Sequence, residues 1–519
     1  MSFVKQAAIL AAATLFARFI GFLYRLPLTN LIGDEGNALY GVGFQFYAFL
    51  LVLSSAGIPS AVSKMVSERV AQKEYTNAHA VFKVAMLVAV VFGTFGSLLL
   101  WTFAGYLSVW FGYPGSVYAI RAVSPAVLVV AIMAVYRGYF QGMNNTVPTA
   151  LSQIIEQVVN AIFKIWLAYL FIENITWAAA GATASTGIGA FLGLITLVAI
   201  YHLLSPRIKK RIRRDRSKKT EDFPKLLKEL LYTTFPIVLG TSIYSIANFI
   251  DMAMIAHRLA ETGIFSQQEI EALYGQFTGK FIVITTLPVA ISSALSIAIL
   301  PSIAGSNATR DRRAVVYKIG RAFRLSSLIS VPSAIGLAVM AEPILLLLFP
   351  NHPEGAVLLQ FGAISIVFLS MVQVSTGALQ GMGKIAIPVI AAIVGTFFKI
   401  PLNHLLIGIP EINVLGAVIS TVVCYFLASL VNVGFLVKFT GIKFDWVGIL
   451  VKPFVAAFVM GLACYVSYNA IVAMFYRFSG LATLISIAIG VVVYFLMLAL
   501  MKGLHKEDAD KLPVIRDFY

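Results

Sequence analysis

The stretch WAAAGATASTGIGAFLGLITLVAIYHL, residues 177–203, contains no Asp, Glu, Lys or Arg. At about 1.5 Å per residue, a helix of this length crosses the roughly 30 Å of hydrocarbon in a bilayer. Residues 80–106, 412–437 and 480–501 form comparable apolar runs. Only 12% of the 519 residues are charged and 59% are hydrophobic, whereas soluble proteins carry about 25% charged residues. The chain is therefore predicted to be an all-α polytopic membrane protein.

Fourteen apolar segments can be placed along the chain, and each is predicted to be a transmembrane helix. They occupy residues 4–27, 40–61, 80–106, 118–141, 147–172, 177–203, 229–257, 276–303, 317–348, 355–380, 385–407, 412–437, 448–473 and 480–502. Because the number of spans is even, both termini are predicted to lie on the same side of the membrane.

The charges of the connecting loops give an independent prediction of orientation. The loops on the side of the termini are basic, and the loops on the opposite side are neutral or acidic. The basic set contains Lys64, Arg69, Lys73, Arg310, Arg312, Arg313, Lys502, Lys506 and Lys511, and the acidic set contains Asp34, Glu35, Glu173, Glu261, Glu269 and Glu271. Positively charged loops stay in the cytoplasm. Both termini are therefore predicted to be cytoplasmic.

The longest cytoplasmic connection is residues 205–228, which hold eleven Lys or Arg against three acidic residues. A basic run of this kind could bind nucleic acid, but beside two membrane spans it more often fixes topology and contacts anionic lipid headgroups. We therefore expect anionic lipids, and no nucleic acid, as partners of this linker.

The linker separates two copies of an internal repeat. Gln141-Gly142-Met143, Phe163-Lys164-Ile165 and Gly181-Ala182 with Ser185-Thr186 are followed, in the same order, by Gln380-Gly381-Met382, Phe398-Lys399-Ile400 and Gly416-Ala417 with Ser420-Thr421. Equivalent spans are six apart, so the two copies have the same orientation and are parallel repeats. The predicted organisation is an N-lobe at 1–204, a linker at 205–228, a C-lobe at 229–438, and two further spans with a cytoplasmic tail at 439–519.

Cationic side chains inside the spans are the first candidates for a binding site. Arg18 and Arg25 lie seven residues apart on the first span, near Gly21 and Pro27, which allow that helix to bend. Lys280 begins the eighth span. A charge at membrane depth costs several kcal/mol unless it faces a partner or a wet cavity, although a Lys near a helix end could instead reach the interface. Together the three cations would suit a pyrophosphate.

The remaining charges inside the spans leave two interpretations open. Glu156, Lys164 and Lys399 lie on the equivalent fifth and eleventh spans. They could line or gate a cavity, or they could pair with each other or with backbone groups to hold helices together. Asp251 in the seventh span has no neighbouring cation in sequence except Arg258, and a lone carboxylate at this depth suggests a proton or sodium site.

Several motifs resemble the polysaccharide-flippase branch of the MOP superfamily. They are ARFIGFLYRLPL from Ala17, SSAGIPSAVSKMVSE from Ser54, the two QGM turns, LYGQFTGK from Leu273 and LPVAISSALSIAILPSI from Leu287. The resemblance is closest to the group that joins the stage V sporulation protein B family with the lipid II flippases of Gram-positive bacteria. It implies two lobes that rock by alternating access around a cationic cavity, which receives the pyrophosphate of an undecaprenyl-linked cell-wall precursor.

The resemblance also implies roles for individual residues. Arg18 and Arg25 match cavity-lining arginines of the family, and Lys280 approximately matches a basic residue of the eighth helix. In some members a sodium site is formed by the seventh, eleventh and twelfth helices, and Asp251, Asn403 and Thr421 could supply its oxygens. Ile407 stands where those members carry a second acidic ligand. Sodium, protons and the membrane potential are all open as the driving force.

Other functions fit the sequence less well. A membrane-embedded glycosyltransferase or glycan polymerase would need catalytic side chains in sizeable extramembrane loops, and such loops are absent from the sequence. A drug antiporter of the same superfamily usually has twelve spans and an acidic N-lobe cavity. We therefore expect a monomeric transporter, without a cofactor other than a coupling ion, for lipid II. The alternative cargo is another lipid-linked oligosaccharide, such as an exopolysaccharide, teichuronic acid or spore-cortex precursor.

Overall fold

The computed structural model describes residues 3–52, 57–213, 215, 221–474 and 479–501. Within these ranges the regular elements are helices, and no strand occurs. The α-helices are α1 Phe3–Leu23, α2 Arg25–Leu51, α3 Ile58–Ala71, α4 Tyr75–Trp110, α5 Val117–Gly142, α6 Val147–Leu170, α7 Ile175–Arg213, α8 Phe223–Glu261, α9 Gln267–Gly275, α10 Ile282–Ala308, α11 Arg312–Val339, α12 Ala341–Leu348, α13 Ala356–Gly362, α14 Ser365–Gly381, α15 Ala386–Ile407, α16 Leu415–Thr440, α17 Lys452–Met474 and α18 Ser479–Leu500. Two π-helical turns, Gln276–Phe281 and Val447–Val451, precede α10 and α17.

The prediction of a polytopic all-α membrane protein is confirmed. Nine helices in the described ranges are long and apolar enough to span a bilayer, or up to eleven when two bent helix pairs are each counted as one span. The number fourteen stays a prediction. α6 is not among the nine, although its 24 residues are long enough, because Gln153, Glu156, Asn160 and Lys164 lower its mean hydropathy.

The chain forms two compact units, Met1–Gly275 and Gln276–Tyr519. In the first unit, α4, α5 and α7 pack together, α6 packs on α7, and α3 packs on α5. Phe95, Leu98 and Trp101 on α4 are each more than half exposed, and such a face is stable only against lipid. The lobe boundaries predicted from the repeat stay a prediction.

In the second unit, α10 packs on α14, α15 on α16, and α17 on α18, with α11 against α10, α14 and α17. The two cysteines of the chain lie here. Cys424 on α16 and Cys464 on α17 are both buried, and neither is in a disulfide. The Cys464 thiol donates to the backbone carbonyl of Ser486, 3.4 Å away.

The first predicted span is interrupted between its two arginines. α1 ends at Leu23 and α2 begins at Arg25, with a bend of 44° between them. This is the bend that the sequence predicts from Gly21 and Pro27. A second break follows at Gly33, where φ of 67° and ψ of −172° lie outside the helical region. Because a side chain with a Cβ avoids this φ, glycine permits the break.

Two other connections have helical structure that the sequence prediction did not specify. The predicted linker begins at residue 205, but α7 continues as a helix to Arg213, so only residues 214–222 separate α7 from α8. The predicted tenth span is divided into α13 and α14, with a bend of 51°.

The repeat appears in the structure as two equivalent close approaches of helices. Gly142 ends α5, which packs on α3, and Gly381 ends α14, which packs on α10. A Cβ atom at Gly142 would lie 2.7 Å from the Val66 Cβ, and one at Gly381 would lie 2.7 Å from the Leu300 carbonyl oxygen. Both distances are well below van der Waals contact, so glycine is required at each of the two QGM turns.

We expect Gly142→Ala and Gly381→Ala each to destabilise the protein by about 1–3 kcal/mol, because the added methyl group forces the helices apart. Thermal unfolding of the purified protein in detergent measures this effect. Gly105→Ala is the control, since a Cβ there meets no atom within 4 Å and alanine favours the helix. A melting temperature of either variant equal to that of Gly105→Ala would contradict the role of these glycines.

Candidate functional site

The first unit contains a cavity of about 420 Å³ between α1, α5 and α6, and several polar side chains line it. Its polar lining comes from Thr14, Arg18, Arg137, Gln153, Glu156 and Gln157. Gly21, at the end of α1, also lines it. The polar face of α6 therefore turns inward to this cavity, which explains why a helix inside a membrane protein carries so many polar residues.

An ion pair between Arg137 and Glu156 forms one wall of the cavity. The Arg137 Nη2 lies 2.7 Å from Glu156 Oε2, and Arg137 Nε donates to the Ser152 hydroxyl at 3.1 Å. The two charged side chains are only 15% and 14% exposed. Glu156 is thus paired with an arginine of α5, whereas the sequence suggested a lysine as its alternative partner.

Arg18 on α1 also lines this cavity, and its side chain is exposed. No salt bridge joins it to another residue in the described ranges. The cavity therefore holds two guanidinium groups and one carboxylate. An arginine that keeps its donors available can bind the oxygens of a phosphate through two parallel hydrogen bonds.

Arg25 occupies a different environment, beyond the break at Tyr24. Its guanidinium carbon lies 5.7 Å from the centre of the Tyr40 ring. Lys164 of α6, which is completely buried, donates to the Tyr40 hydroxyl at 2.9 Å and lies 4.2 Å from the centre of the Tyr24 ring. Arg25, Lys164, Tyr24 and Tyr40 form what we call the tyrosine cluster, in which π faces and phenol oxygens stabilise two cations.

Lys280 lies in the second unit, in the π-helical turn that precedes α10, and only 1% of it is exposed. Its Nζ donates to the backbone carbonyl of Glu354 at 3.0 Å and lies 3.8 Å from the carboxylate of the same residue. The ring centre of Phe349 is 5.8 Å away. Lys280 is thus buried against the segment between α12 and α13, and it does not extend to an aqueous surface.

The candidates for ion coupling are buried in separate units. Asp251 on α8 belongs to the first unit, whereas Asn403 on α15 and Thr421 on α16 belong to the second. α15 and α16 pack together, and the Thr421 hydroxyl donates to the Ala417 carbonyl at 2.7 Å. Lys399 is buried on α15 as well, 4% exposed. Among the described residues, no group of three or more His, Cys, Asp or Glu side chains could hold a metal ion. Asn and Thr oxygens fit a hard cation such as sodium better than a transition metal.

Sequence reasoning missed Arg137 and the two tyrosines. Arg137 lies inside the predicted span 118–141, so its position at membrane depth could have marked it as a candidate cavity residue. Its pairing with Glu156 follows from the packing of α5 and α6, which the sequence does not reveal. Tyr24 and Tyr40 gave no signal, because aromatic residues are common throughout the chain.

Comparison with known proteins places the chain among membrane transporters. A family model described as polysaccharide biosynthesis protein matches residues 3–307, and a second, described as MatE, matches residues 236–405. The lipid II flippase MurJ of Bacillus subtilis is 26% identical over 89% of this chain and 87% of that protein. Stage V sporulation protein B of the same organism is 25% identical over 99% of this chain and 98% of that protein.

Solved structures share the fold. A lipid II flippase MurJ in an inward closed conformation matches with a TM-score of 0.71 and 17% identity, covering 95% of this chain and 98% of that one. An inward-facing multidrug resistance transporter of the MATE family matches with a TM-score of 0.69 and 15% identity, covering 82% and 94%. The predicted relationship to the MOP superfamily is confirmed. Because the first family model covers more than half of the chain, the protein belongs to the polysaccharide biosynthesis protein family.

Proposed function

We propose that the protein is a flippase that moves lipid II, an undecaprenyl-pyrophosphate-linked cell-wall precursor, from the inner to the outer leaflet by alternating access. The observation that carries this proposal is the cavity of the first unit, which the exposed Arg18 lines together with the Arg137–Glu156 pair. Two guanidinium groups against one carboxylate leave the cavity cationic. A pyrophosphate supplies the matching charge and the oxygens for bidentate hydrogen bonds.

The similarity to the Bacillus subtilis lipid II flippase supports this cargo. Stage V sporulation protein B is similar to nearly the same degree and over more of the chain. It favours the second candidate, a flippase for a different lipid-linked oligosaccharide such as a spore-cortex precursor. Both cargoes present the same pyrophosphate to Arg18, so the cavity suits either.

The protein is a transporter and not an enzyme, as its relatives and structural neighbours support. Within the superfamily, the charge of the cavity favours an anionic cargo. A cationic drug would meet Arg18 and Arg137 at close range, and like charges in a cavity of low dielectric constant repel strongly. The same cavity attracts a pyrophosphate.

Further proposals concern the setting of this transport. We propose that the protein acts as a monomer in the bacterial plasma membrane, and the charge pattern of its loops supports a cytoplasmic position for both termini. The ion-coupling candidates stay predictions: Asp251 for a proton or a sodium ion, and Asn403 with Thr421 for a sodium ion. The membrane potential is the third candidate for the driving force of transport, beside sodium and protons.

The function is tested by expressing the gene in cells depleted of their own lipid II flippase. We expect growth to be restored and lipid II to be exposed on the outer leaflet, as measured by its accessibility to an added hydrolase. A parallel strain lacks stage V sporulation protein B and is scored for spore cortex. If only the second strain is rescued, although the protein inserts normally into the membrane of both, lipid II is not the cargo and another lipid-linked oligosaccharide is.

Arg18→Gln is expected to lower the rate of lipid II exposure about tenfold or more, because one charge-assisted contact to the pyrophosphate is lost. Arg18→Lys should retain part of the activity, since the charge remains while the bidentate geometry does not. Arg121→Gln is the control, because Arg121 is an exposed arginine of α5 outside the cavity. Transport by Arg18→Gln equal to that of the control would refute the role of the cavity in binding pyrophosphate.

A further inference from the structure

The second unit contains a smaller pocket of about 230 Å³, lined by none of the candidate site residues. One wall is the beginning of α11, and the other is the connection between α16 and α17. Liquid water occupies about 30 Å³ per molecule, so the pocket has room for a phosphate group with its first hydration waters.

Three features of the sequence form this pocket. Tyr317, Arg321 and Arg324 recur at intervals of four and three residues and so share one face of α11. Gly441, with φ of 65°, ends α16 in the left-handed conformation and lets the chain turn back. Arg312 Nε donates to the Thr440 carbonyl at 2.9 Å, which ties the start of α11 to the end of α16.

Aromatic packing holds the connecting segment in place. Phe444 packs against Phe323 of α11, with ring centres 4.9 Å apart, and against Trp446 at 5.0 Å. Phe323 is buried. The pocket is therefore formed by packed side chains of both walls and does not depend on a bound molecule for its shape.

The charges of the pocket are unbalanced. Arg321, Arg324 and Lys443 line it together with one carboxylate, Asp445. Asp445 Oδ1 accepts a hydrogen bond from the Gly448 backbone N–H at 3.1 Å, and its Oδ2 lies 3.7 Å from Arg324 Nη2, which is longer than a hydrogen bond. The carboxylate is thus engaged at the start of the π-helical turn, and the lining holds one negative charge against three positive charges.

Arg324 carries a more specific signal. Its side chain is 16% exposed, and its Nε is buried without a hydrogen-bond partner among the described residues. A buried donor of this kind is costly unless something accepts its proton. An anion in the pocket would neutralise the excess positive charge beside this donor.

The surroundings identify the source of the anion. Tyr317 and Trp446 are 55% and 40% exposed beside the pocket, and Tyr and Trp concentrate at the level of lipid headgroups. Val447 and Phe454, at the start of the thirteenth predicted span, are more than half exposed. The loop between the twelfth and thirteenth spans lies on the predicted cytoplasmic side, where the membrane surface is rich in anionic lipids.

We propose that this pocket binds the phosphate of an anionic phospholipid headgroup, with Arg324 and Arg321 as its donors and Lys443 at its entrance. The acyl chains of that lipid would lie along the exposed apolar start of the thirteenth span. This site is separate from the cargo cavity and from the basic linker, and it braces α11 against the segment that leads into α17.

The test uses the purified full-length protein in detergent, titrated with phosphatidylglycerol or phosphatidylcholine and followed by native mass spectrometry. We expect the wild type to retain phosphatidylglycerol in preference to phosphatidylcholine. Arg324→Gln and Lys443→Gln should each weaken that retention about tenfold, the effect of one charge-assisted contact. Lys443 is exposed, so its variant tests the site even if Arg324→Gln fails to fold.

Arg313→Gln is the matched control, because Arg313 is an exposed cation on the same end of α11 and outside the pocket. It should retain phosphatidylglycerol as the wild type does. If Arg313→Gln and Lys443→Gln lose phosphatidylglycerol retention equally, the lipid responds to the general surface charge, and the proposal is overturned. Inorganic phosphate that displaces phosphatidylglycerol at equal concentration would also overturn it, since the site would then be one for a soluble anion.

Discussion

Replacement of Arg137 by Gln is expected to lower the stability of the folded protein by about 3 kcal/mol, the usual cost of removing one partner from a buried ion pair. The variant leaves the Glu156 carboxylate in the cavity without the guanidinium that lies 2.7 Å from it. It also removes the donor to the Ser152 hydroxyl. Thermal unfolding in detergent and the yield of folded protein in membranes both measure the loss.

The double variant Arg137→Gln/Glu156→Gln distinguishes the cost of the unpaired Glu156 carboxylate from the cost of losing the other contacts of Arg137. Because no uncompensated charge remains, we expect it to recover most of the lost stability. Arg121→Gln, an exposed arginine on the same helix, should unfold at the temperature of the wild type. A double variant less stable than Arg137→Gln alone would show that the two side chains do not act as a pair. If the cavity binds pyrophosphate, the double variant should still transport poorly, since one of its two guanidinium groups is gone.

Replacement of Arg69 by Gln is expected to have an effect of similar size at the predicted cytoplasmic end of the first unit. Arg69 on α3 is buried and contacts two carboxylates. Its Nε lies 2.5 Å from Glu221, and its Nη2 lies 2.8 Å from Glu229 at the start of α8. The backbone N–H of Glu221 donates to Asn77 Oδ1 at 3.0 Å. Removal of Arg69 therefore leaves two carboxylates side by side, at a cost of about 3 kcal/mol.

Lys225→Gln is the control for this clamp. Lys225 also contacts Glu221, at 3.0 Å, but its side chain is 68% exposed. Exposed pairs of this kind contribute about 0–1 kcal/mol, so we expect almost no change in unfolding temperature. If the two variants unfold at the same temperature, burial of Arg69 does not strengthen its ion pairs.

The clamp also predicts a dependence on pH. Burial raises the pKa of Glu221, but hydrogen bonds from Arg69 and Lys225 outweigh this effect and hold its pKa below the ordinary value of 4.5. A carboxyl group whose pKa is lowered on folding stabilises the fold above its ordinary pKa, and this contribution is lost as the pH falls through the lowered value. We expect the wild type to lose stability below pH 4.5 more steeply than Arg69→Gln does.

Hydropathy was sufficient to predict the helical membrane fold, and the positions of glycine and proline were sufficient to predict the bend in the first span. The run without charges at 177–203 could only be a span, and Gly21 with Pro27 located the break that the structure places at Tyr24. The repeat was predictable as well, since the two QGM turns end the equivalent helices α5 and α14. These features are local, and local sequence determines them.

Partners of the buried charges could not be predicted, because they depend on which helices pack together. Glu156 pairs with Arg137, nineteen residues earlier, and Lys164 meets Tyr40 from a helix far away in sequence. The linker shows the same limit. Its composition is basic, but two of its acidic residues, Asp215 and Glu221, contact the end of α3 and the start of α4 and α8. The candidates Arg18, Arg25 and Lys280 stay predictions as cargo ligands.

The burial of both native thiols has a practical consequence for following the transport cycle. Cys424 and Cys464 are the only cysteines in the chain, and neither is accessible at the surface. A single cysteine engineered at an exposed position would therefore be the main site of reaction with a membrane-impermeant maleimide, without removal of the natural residues. Fluorophores or spin labels attached at such positions could then report the opening and closing of the transporter in an otherwise unmodified protein.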